Sequence, residues 1–199
     1  FWGKGNGTFP LNMYEESVKV PFIARHPGRI PAGVVCDSLV SAYDFMPTLL
    51  DYLGLKPLDM AKRPGVSFVP ALLGQGFERP GGIVVMDEYG PNRMLRDQRY
   101  KYIARYPYGP NALYDLKADP GEQDNLLAHG GFEALEQELR GRLEKWFAKY
   151  VNPEIDGARE AVFGSGQIGL AGLWGAGVSA HSCDDYIKKN PNYALYRVK

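Results

Sequence analysis

The sequence is poor in the residues that build metal sites and disulfide frameworks. Its 199 residues contain two cysteines, Cys36 and Cys183, and three histidines. Neither cysteine belongs to a CxxC pair, which argues against a cysteine-based zinc site. The two thiols could be free or could form one disulfide bridge, so they do not indicate whether the protein works in a reducing or an oxidising compartment.

Net charge and long apolar runs are also missing. The 23 lysines and arginines balance the 23 aspartates and glutamates. A neutral chain has no electrostatic footprint for nucleic acid or for an anionic membrane. No apolar run approaches the length of a membrane span. We therefore expect neither nucleic acid nor a membrane among its partners. No signal peptide is visible, and a chain that starts inside a Gly-rich segment could not show one.

The first part, residues 1–79, has the order of elements expected at the end of an α/β sheet. After a Gly-rich opening, the apolar run Val20–Arg25 predicts a buried strand, and Val34–Tyr43 predicts another. A helix is predicted from a cap at Asp44 to Leu53. It has a proline in its first turn and a glycine directly after its end.

The second part, residues 80–150, predicts a small antiparallel sheet packed on one long helix. Ile83–Asp87 is rich in β-formers, "RMLR" and "RYKYIAR" alternate like a hairpin, and "ALYDL" forms a further short strand. "DPGE" is a turn. From 132 to 150, apolar residues recur every three or four positions, as on one face of a helix. The outer face carries two predicted i,i+4 ion pairs: Glu136 with Arg140, and Glu138 with Arg142.

The third part, residues 151–199, is an extended Gly-rich and polar tail. Its "GSGQIG", residues 164–169, matches the G-x-G-x-x-G pattern of dinucleotide-binding loops. That site needs a strand before the glycines and a helix after them, whereas "LAGLWGAG" follows and would break a helix. We therefore interpret the stretch as a Gly-rich loop and predict no cofactor-binding residues.

Lys4 is the first candidate for chemistry, because it lies between two glycines that let its ammonium approach a ligand closely. An ammonium is a compact charge suited to a tetrahedral oxyanion such as sulfate or phosphate. By local composition alone, an ordinary solvated loop lysine is the stronger interpretation. The adjacent Glu15 and Glu16 would point to opposite faces of an extended stretch, so we expect a structural role for them. The three unclustered histidines do not make a site.

Three sequence segments, which follow one another along the chain, favour a functional role for Lys4. "WGKG…MYEESVKVPFIARHPGRIPAG", "SLVSAYDFMPTLLDYLG" and "RDQRYKYIARYPYGPNALYDLKADPGEQDNLL" together resemble the sulfatase family of the alkaline-phosphatase superfamily. The layout is similar to that of bacterial arylsulfatases and phosphonate monoester hydrolases, and it covers about residues 1–150. The resemblance implies an α/β fold in which residues 1–79 end a large mixed sheet. Residues 80–150 form the small antiparallel subdomain with its helix, and residues 151–199 form the tail.

The resemblance also implies a function. Lys4 matches the lysine that binds the sulfate group of the substrate, and the long tail places His181 as a candidate in the substrate pocket. The family's nucleophile is a formylglycine made from a C/S-x-P-x-R motif, and its divalent cation is usually calcium. This chain contains neither that motif nor the metal ligands, so no metal is expected on it. Both would belong to an N-terminal part of the same enzyme, and the chain alone would be inactive.

Several alternatives remain open. A phosphonate monoester or phosphodiester hydrolase of the same superfamily would bind an equally tetrahedral anion, and a binding module could keep the fold without catalysis. The expected partners are a sulfate ester and the N-terminal part, with self-association through the tail as a further option. A bacterial enzyme of this type could be cytoplasmic, periplasmic or secreted. We also expect residues 1–199 alone to expose apolar faces and to associate.

Overall fold

The computed structural model describes residues 13–56, 59–87, 92–106, 110–156 and 158. The chain forms two compact units. Unit 1 comprises the described residues of Phe1–Lys19, Val84–Leu95 and Arg99–Lys199, and unit 2 comprises those of Val20–Ile83 and Arg96–Gln98. The division into residues 1–79, 80–150 and 151–199 stays a prediction.

The sheet of unit 1 has four strands that follow one another in sequence and in space. They are β1 (Ile83–Met86), β2 (Asn92–Arg96), β3 (Tyr100–Arg105) and β4 (Ala112–Asp115), in the order β1-β2-β3-β4. β3 and β4 run antiparallel, with Tyr100 opposite Asp115 and Ile103 opposite Ala112. The strands, hairpin and small antiparallel sheet predicted from the period-two pattern are confirmed.

One face of this sheet is covered by the long helix α4 (Glu133–Tyr150). Its apolar stripe places Leu139, Leu143 and Phe147 in the core with residues from all four strands. The sheet side of this core consists of five buried residues: Val84, Leu95, Tyr102, Ala104 and Leu113. The predicted helix over 132–150 is confirmed, with Phe132 at its N-cap position.

The opposite face is covered by the first described residues of the chain. Met13 and Tyr14 lead into the one-turn helix α1 (Glu15–Val18), and Met13 is buried against Met94, Ile103 and neighbouring sheet residues. Successive side chains of a strand point to opposite faces. The side chains of β3 therefore alternate between the two cores, with Tyr102 under α4 and Ile103 under the N-terminal segment.

The polar face of α4 differs in part from its prediction. Arg142 pairs with Glu138 at 3.5 Å as expected, but Arg140 pairs with Glu144 at 3.6 Å. Glu136 instead accepts hydrogen bonds from the Tyr102 hydroxyl at 3.4 Å and from the Asn111 amide at 3.3 Å. The predicted Glu136–Arg140 pair was wrong because tertiary partners on the sheet compete for that carboxylate.

Unit 2 is built around α2 (Phe45–Tyr52) and the short α3 (Val69–Leu72). α2 follows a 3-10 turn, Ala42–Asp44, and Gly54 ends it at a φ of 65°. The predicted helix and its stop are confirmed, but the Asp44 carboxylate does not cap α2. It accepts hydrogen bonds from the backbone N–H groups of Ser41 and Val66 and forms a buried ion pair with Arg79.

The two strands predicted in residues 20–25 and 34–43 are not found in the described part of unit 2. A strand requires a hydrogen-bonded neighbour, and these apolar runs have none among the described residues. Their side chains face outward, with Ile23 90% and Val35 85% exposed. Both segments are apolar, but an apolar segment forms a strand only where a neighbouring strand pairs with it. The large sheet is thus absent from the described residues.

Candidate functional site

The residues predicted to carry chemistry lie outside the described part of the chain. Lys4 and His181 belong to ranges that the structure does not describe, as do Cys183 and the Gly-rich stretch 164–169. Their roles therefore stay predictions. Cys36 is described, and its thiol is free and exposed.

The two described histidines are held in separate, exposed hydrogen bonds. His26 Nδ1 lies 2.7 Å from the Tyr52 hydroxyl in unit 2, and His129 Nε2 lies 2.6 Å from Asp124 Oδ1 in unit 1. Within the described ranges, no three His, Cys, Asp or Glu side chains are grouped so that they could hold a metal ion. These residues therefore do not fit the cation that the sulfatase resemblance implies. No helix in the same ranges is both long and apolar enough to cross a membrane.

The most unusual polar arrangement is a buried group that we call the Lys101 cluster: Lys101, Glu15, Glu122 and the Met13 carbonyl. Lys101 is 0% exposed, although it carries an ammonium. Its Nζ lies 2.8 Å from Glu15 Oε1, 2.8 Å from Glu122 Oε1 and 2.9 Å from the Met13 oxygen. The ammonium thus donates a hydrogen bond to the Met13 oxygen and lies at ion-pair distance from both carboxylates.

Each member of the cluster is placed by a different element. Lys101 points to the Met13 side of the sheet because it alternates with Tyr100 and Tyr102 along β3. Glu122 ends the "DPGE" turn with a φ of 52°, a left-handed conformation that side chains rarely adopt. Its second oxygen accepts a 2.7 Å hydrogen bond from the Glu15 backbone N–H. The strained turn therefore directs one carboxylate at both the lysine and the start of α1.

The two adjacent glutamates lie in the one-turn helix α1 and not in the extended stretch that was expected, and their surroundings differ. Glu15 turns inward to Lys101, whereas Glu16 is exposed. Beside them Tyr14 packs edge-on against Tyr114, with the ring centroids 6.0 Å apart. Burial, followed by the hydrogen bond with Tyr14, raises the pKa of the Tyr114 hydroxyl above its ordinary value. Tyr114 thus stays protonated at neutral pH and is a poor general base.

A second buried ion pair lies elsewhere in unit 1. Arg93 pairs with Asp156, and its guanidinium lies 3.8 Å from the Phe147 ring centroid and 4.9 Å from that of Tyr106. Asp156 also accepts a 3.0 Å hydrogen bond from the backbone N–H of Ala158. This pair connects β2 with the chain that follows α4, and both charges are largely removed from water.

The Lys101 cluster is built to hold structure rather than to react. Its ammonium is surrounded by protein oxygens and has no exposed surface, so it cannot receive a ligand anion. Sequence reasoning overlooked it, although a signal was present. In "YKYIAR" the lysine falls on the same face as Ile103, where strand alternation calls for an apolar residue.

Comparison with known proteins identifies relatives. Residues 10–149 match the family described as N-sulphoglucosamine sulphohydrolase, C-terminal. The chain is 32% identical over 151 residues to a Delta 4,5-hexuronate-2-O-sulfatase of Bacteroides thetaiotaomicron, covering 71% of this chain and 31% of that one. It is 30% identical over 167 residues to an N-acetylglucosamine-6-O-sulfatase of the same species, covering 76% and 29%.

A solved structure shows a related fold. It comes from work on glycosaminoglycan metabolism by Bacteroides thetaiotaomicron and has a TM-score of 0.51 at 26% sequence identity. The similarity covers 65% of this chain and 30% of that one. The chain spans about a third of the length of the curated relatives that it matches.

Proposed function

The chain belongs to the sulfatase family, through the C-terminal region described for N-sulphoglucosamine sulphohydrolase, and on this premise we propose that it is the C-terminal part of a sulfuric ester hydrolase. The observation that carries the proposal is the match over residues 10–149, joined to relatives named as sulfatases. Those relatives are about three times longer than the matched region. We infer that the chain acts together with an N-terminal part of the same enzyme.

The surface of unit 2 supports the proposal that an N-terminal part of the enzyme packs against this chain. Large apolar side chains are exposed along two extended segments and one helix of the unit: Val20, Phe22, Ile23, Val35, Phe45, Met46, Leu49 and Leu53. Large apolar side chains exposed in this number are uncommon on a protein that works alone. Further strands of a large sheet would pair with the extended segments and cover these side chains.

Within the complete enzyme, we assign Lys4 the role of binding the sulfate group of the substrate. As the sulfur–oxygen bond breaks, negative charge grows on the sulfuryl and leaving oxygens, and a fixed ammonium close to them stabilises that charge. His181 is assigned to the substrate pocket. The nucleophile and the calcium site belong to the N-terminal part, so residues 1–199 alone should not turn over an ester.

Paired assays test the proposed reaction. The enzyme that contains this chain together with its N-terminal part is given a sulfate ester and a phosphonate monoester with the same leaving group. A higher kcat/KM for the sulfate ester supports the proposal. A higher value for the phosphonate ester would make the chain part of a phosphonate hydrolase, and no turnover of either would favour a binding module.

A further inference from the structure

The C-terminal half of α4 carries two cations that are not paired. Lys145 and Lys149 are exposed, and neither ammonium lies at ion-pair distance from a carboxylate in the described part of the chain. The two arginines of the same helix differ, because Arg140 pairs with Glu144 and Arg142 pairs with a glutamate one turn earlier. The helix therefore leaves two positive charges available to a ligand near its C-terminal end.

Two aromatic side chains lie beside these lysines. Trp146 and Tyr150 are half-buried, and their ring centroids are 5.2 Å apart with 59° between the ring planes. Trp146 packs against the core of unit 1, which holds the indole in place. Lys149 Nζ lies 4.8 Å from the Tyr150 ring centroid. Because residues four apart are neighbours on a helix, the two rings and the two ammonium groups form one patch.

An ordinary helix end explains only part of this pattern. Cations near a helix C-terminus complement the helix dipole, which accounts for lysines in the last turns of α4. The dipole does not account for two large rings that stay partly exposed between them, since aromatic side chains stabilise a fold most when they are fully buried. A ligand that covers the rings and binds the charges would account for both features.

We propose that the α4 patch, Lys145, Trp146, Lys149 and Tyr150, is a binding surface for a sulfated polysaccharide. The flat rings stack on the apolar faces of sugar rings, and the two ammonium groups bind sulfate groups of the same chain, since an ammonium suits a tetrahedral oxyanion. The inference goes beyond the proposed function and rests on it only for the choice of sulfate as the anion.

The charge of the chain favours this ligand over a nucleic acid. Cations and anions balance over the whole sequence, so no broad positive surface is available for a phosphate backbone. The positive charge of the α4 patch is local and is interleaved with aromatic rings. That arrangement matches a polymer in which anionic groups alternate with the apolar faces of sugars.

Binding of dextran sulfate to the complete enzyme tests the α4 patch, with neutral dextran of the same length for comparison. Lys145→Ala with Lys149→Ala should raise the Kd for dextran sulfate about tenfold or more and should reduce the slope of log K against log salt by about one to two, because fewer counterions are released. Trp146→Leu, which keeps an apolar contact with the core, should raise the Kd about fivefold or more through lost stacking. If Trp146→Leu fails to fold, Tyr150→Leu takes its place.

A matched control removes the same charge elsewhere on unit 1. Arg140 and Lys117 are exposed and lie outside the α4 patch. Arg140→Ala with Lys117→Ala should change the Kd by less than about twofold, because exposed charges away from the contact are screened by salt. Lysine acetylation followed by mass spectrometry locates the contact in the unmodified sequence. Dextran sulfate should protect Lys145 and Lys149 but not Lys117.

The outcomes separate this inference from the proposed function. Equal Kd values for the lysine pair and the control variant would overturn the α4 patch, as would equal protection of all three lysines. Polyphosphate that binds as tightly as dextran sulfate, with no effect of Trp146→Leu, would also overturn it by showing a general attraction for anions. The proposed function is tested by turnover of a sulfate ester, so its failure would leave these binding results unchanged.

Discussion

The stability of unit 1 should depend on Lys101 through the charges that the lysine neutralises. Lys101→Met keeps the length and apolar stem of the side chain but removes an ammonium that is 2.8 Å from two carboxylates. Glu122 is buried, so its charge would be left without compensation in a region of low dielectric. Removing one partner of a buried pair typically destabilises a protein by about 3–5 kcal/mol. That is a large share of the 5–15 kcal/mol that is typical of a domain.

The matched variant replaces the whole group. Lys101→Met combined with Glu15→Gln and Glu122→Gln removes all three charges together, so it should recover most of the stability lost by the single substitution. Urea denaturation gives the free energy of unfolding from the shift in midpoint at constant slope. Trp146 on α4 packs against the core of unit 1, and Trp2→Phe with Trp174→Phe would make it the sole tryptophan reporter.

A loss below about 1 kcal/mol for the single substitution at neutral pH, with no recovery in the triple variant, would refute the account. It would mean that the lysine is a solvated surface charge.

Four further predictions concern other side chains of the two units. Gly141→Ala in α4, where an added Cβ meets no atom within 4 Å, should stabilise the protein by about 0.5–1 kcal/mol in urea. Gly65→Ala, whose Cβ would overlap a backbone carbonyl, should destabilise it by about 1–3 kcal/mol in the same assay. Burial raises the pKa of the Tyr102 hydroxyl. The neutral hydroxyl therefore stabilises the fold fully below about pH 10, and this contribution is lost as the pH rises further. Tyr102→Phe should reduce unfolding at alkaline pH, as monitored by circular dichroism. Ile23→Ser with Val35→Ser should lower the apparent mass of residues 1–199 in light scattering, and an unchanged mass would contradict the role of these side chains in association.

Much of unit 1 could be predicted from its sequence, because its elements carry strong local patterns. The period-two alternation of "RYKYIAR" and the spacing of Leu139 and Leu143 determine a strand and a helix without reference to distant residues. Unit 2 was predicted less well. Val20–Arg25 is apolar like a buried strand, but a strand exists only where a partner supplies hydrogen bonds, and local composition cannot show that.

The candidate functional residues also differ in how well the sequence could identify them. Lys4 was found through family resemblance rather than through local chemistry, since a lysine between glycines is also typical of ordinary loops. The Lys101 cluster joins residues that are up to 107 positions apart, Glu15 and Glu122. Such a contact depends on how the N-terminal segment lies on the sheet. The buried position of Lys101 could have been predicted from strand alternation, but its partners could not.

The most direct test of the account is the activity of Lys4→Ala in the complete enzyme toward a sulfate ester, with the exposed Lys62→Ala as the matched control. We predict that Lys4→Ala lowers kcat/KM by about a hundredfold or more, while Lys62→Ala leaves it unchanged. Equal activity of the two variants would show that the lysine does not bind the transferring sulfate, and it would contradict the central claim.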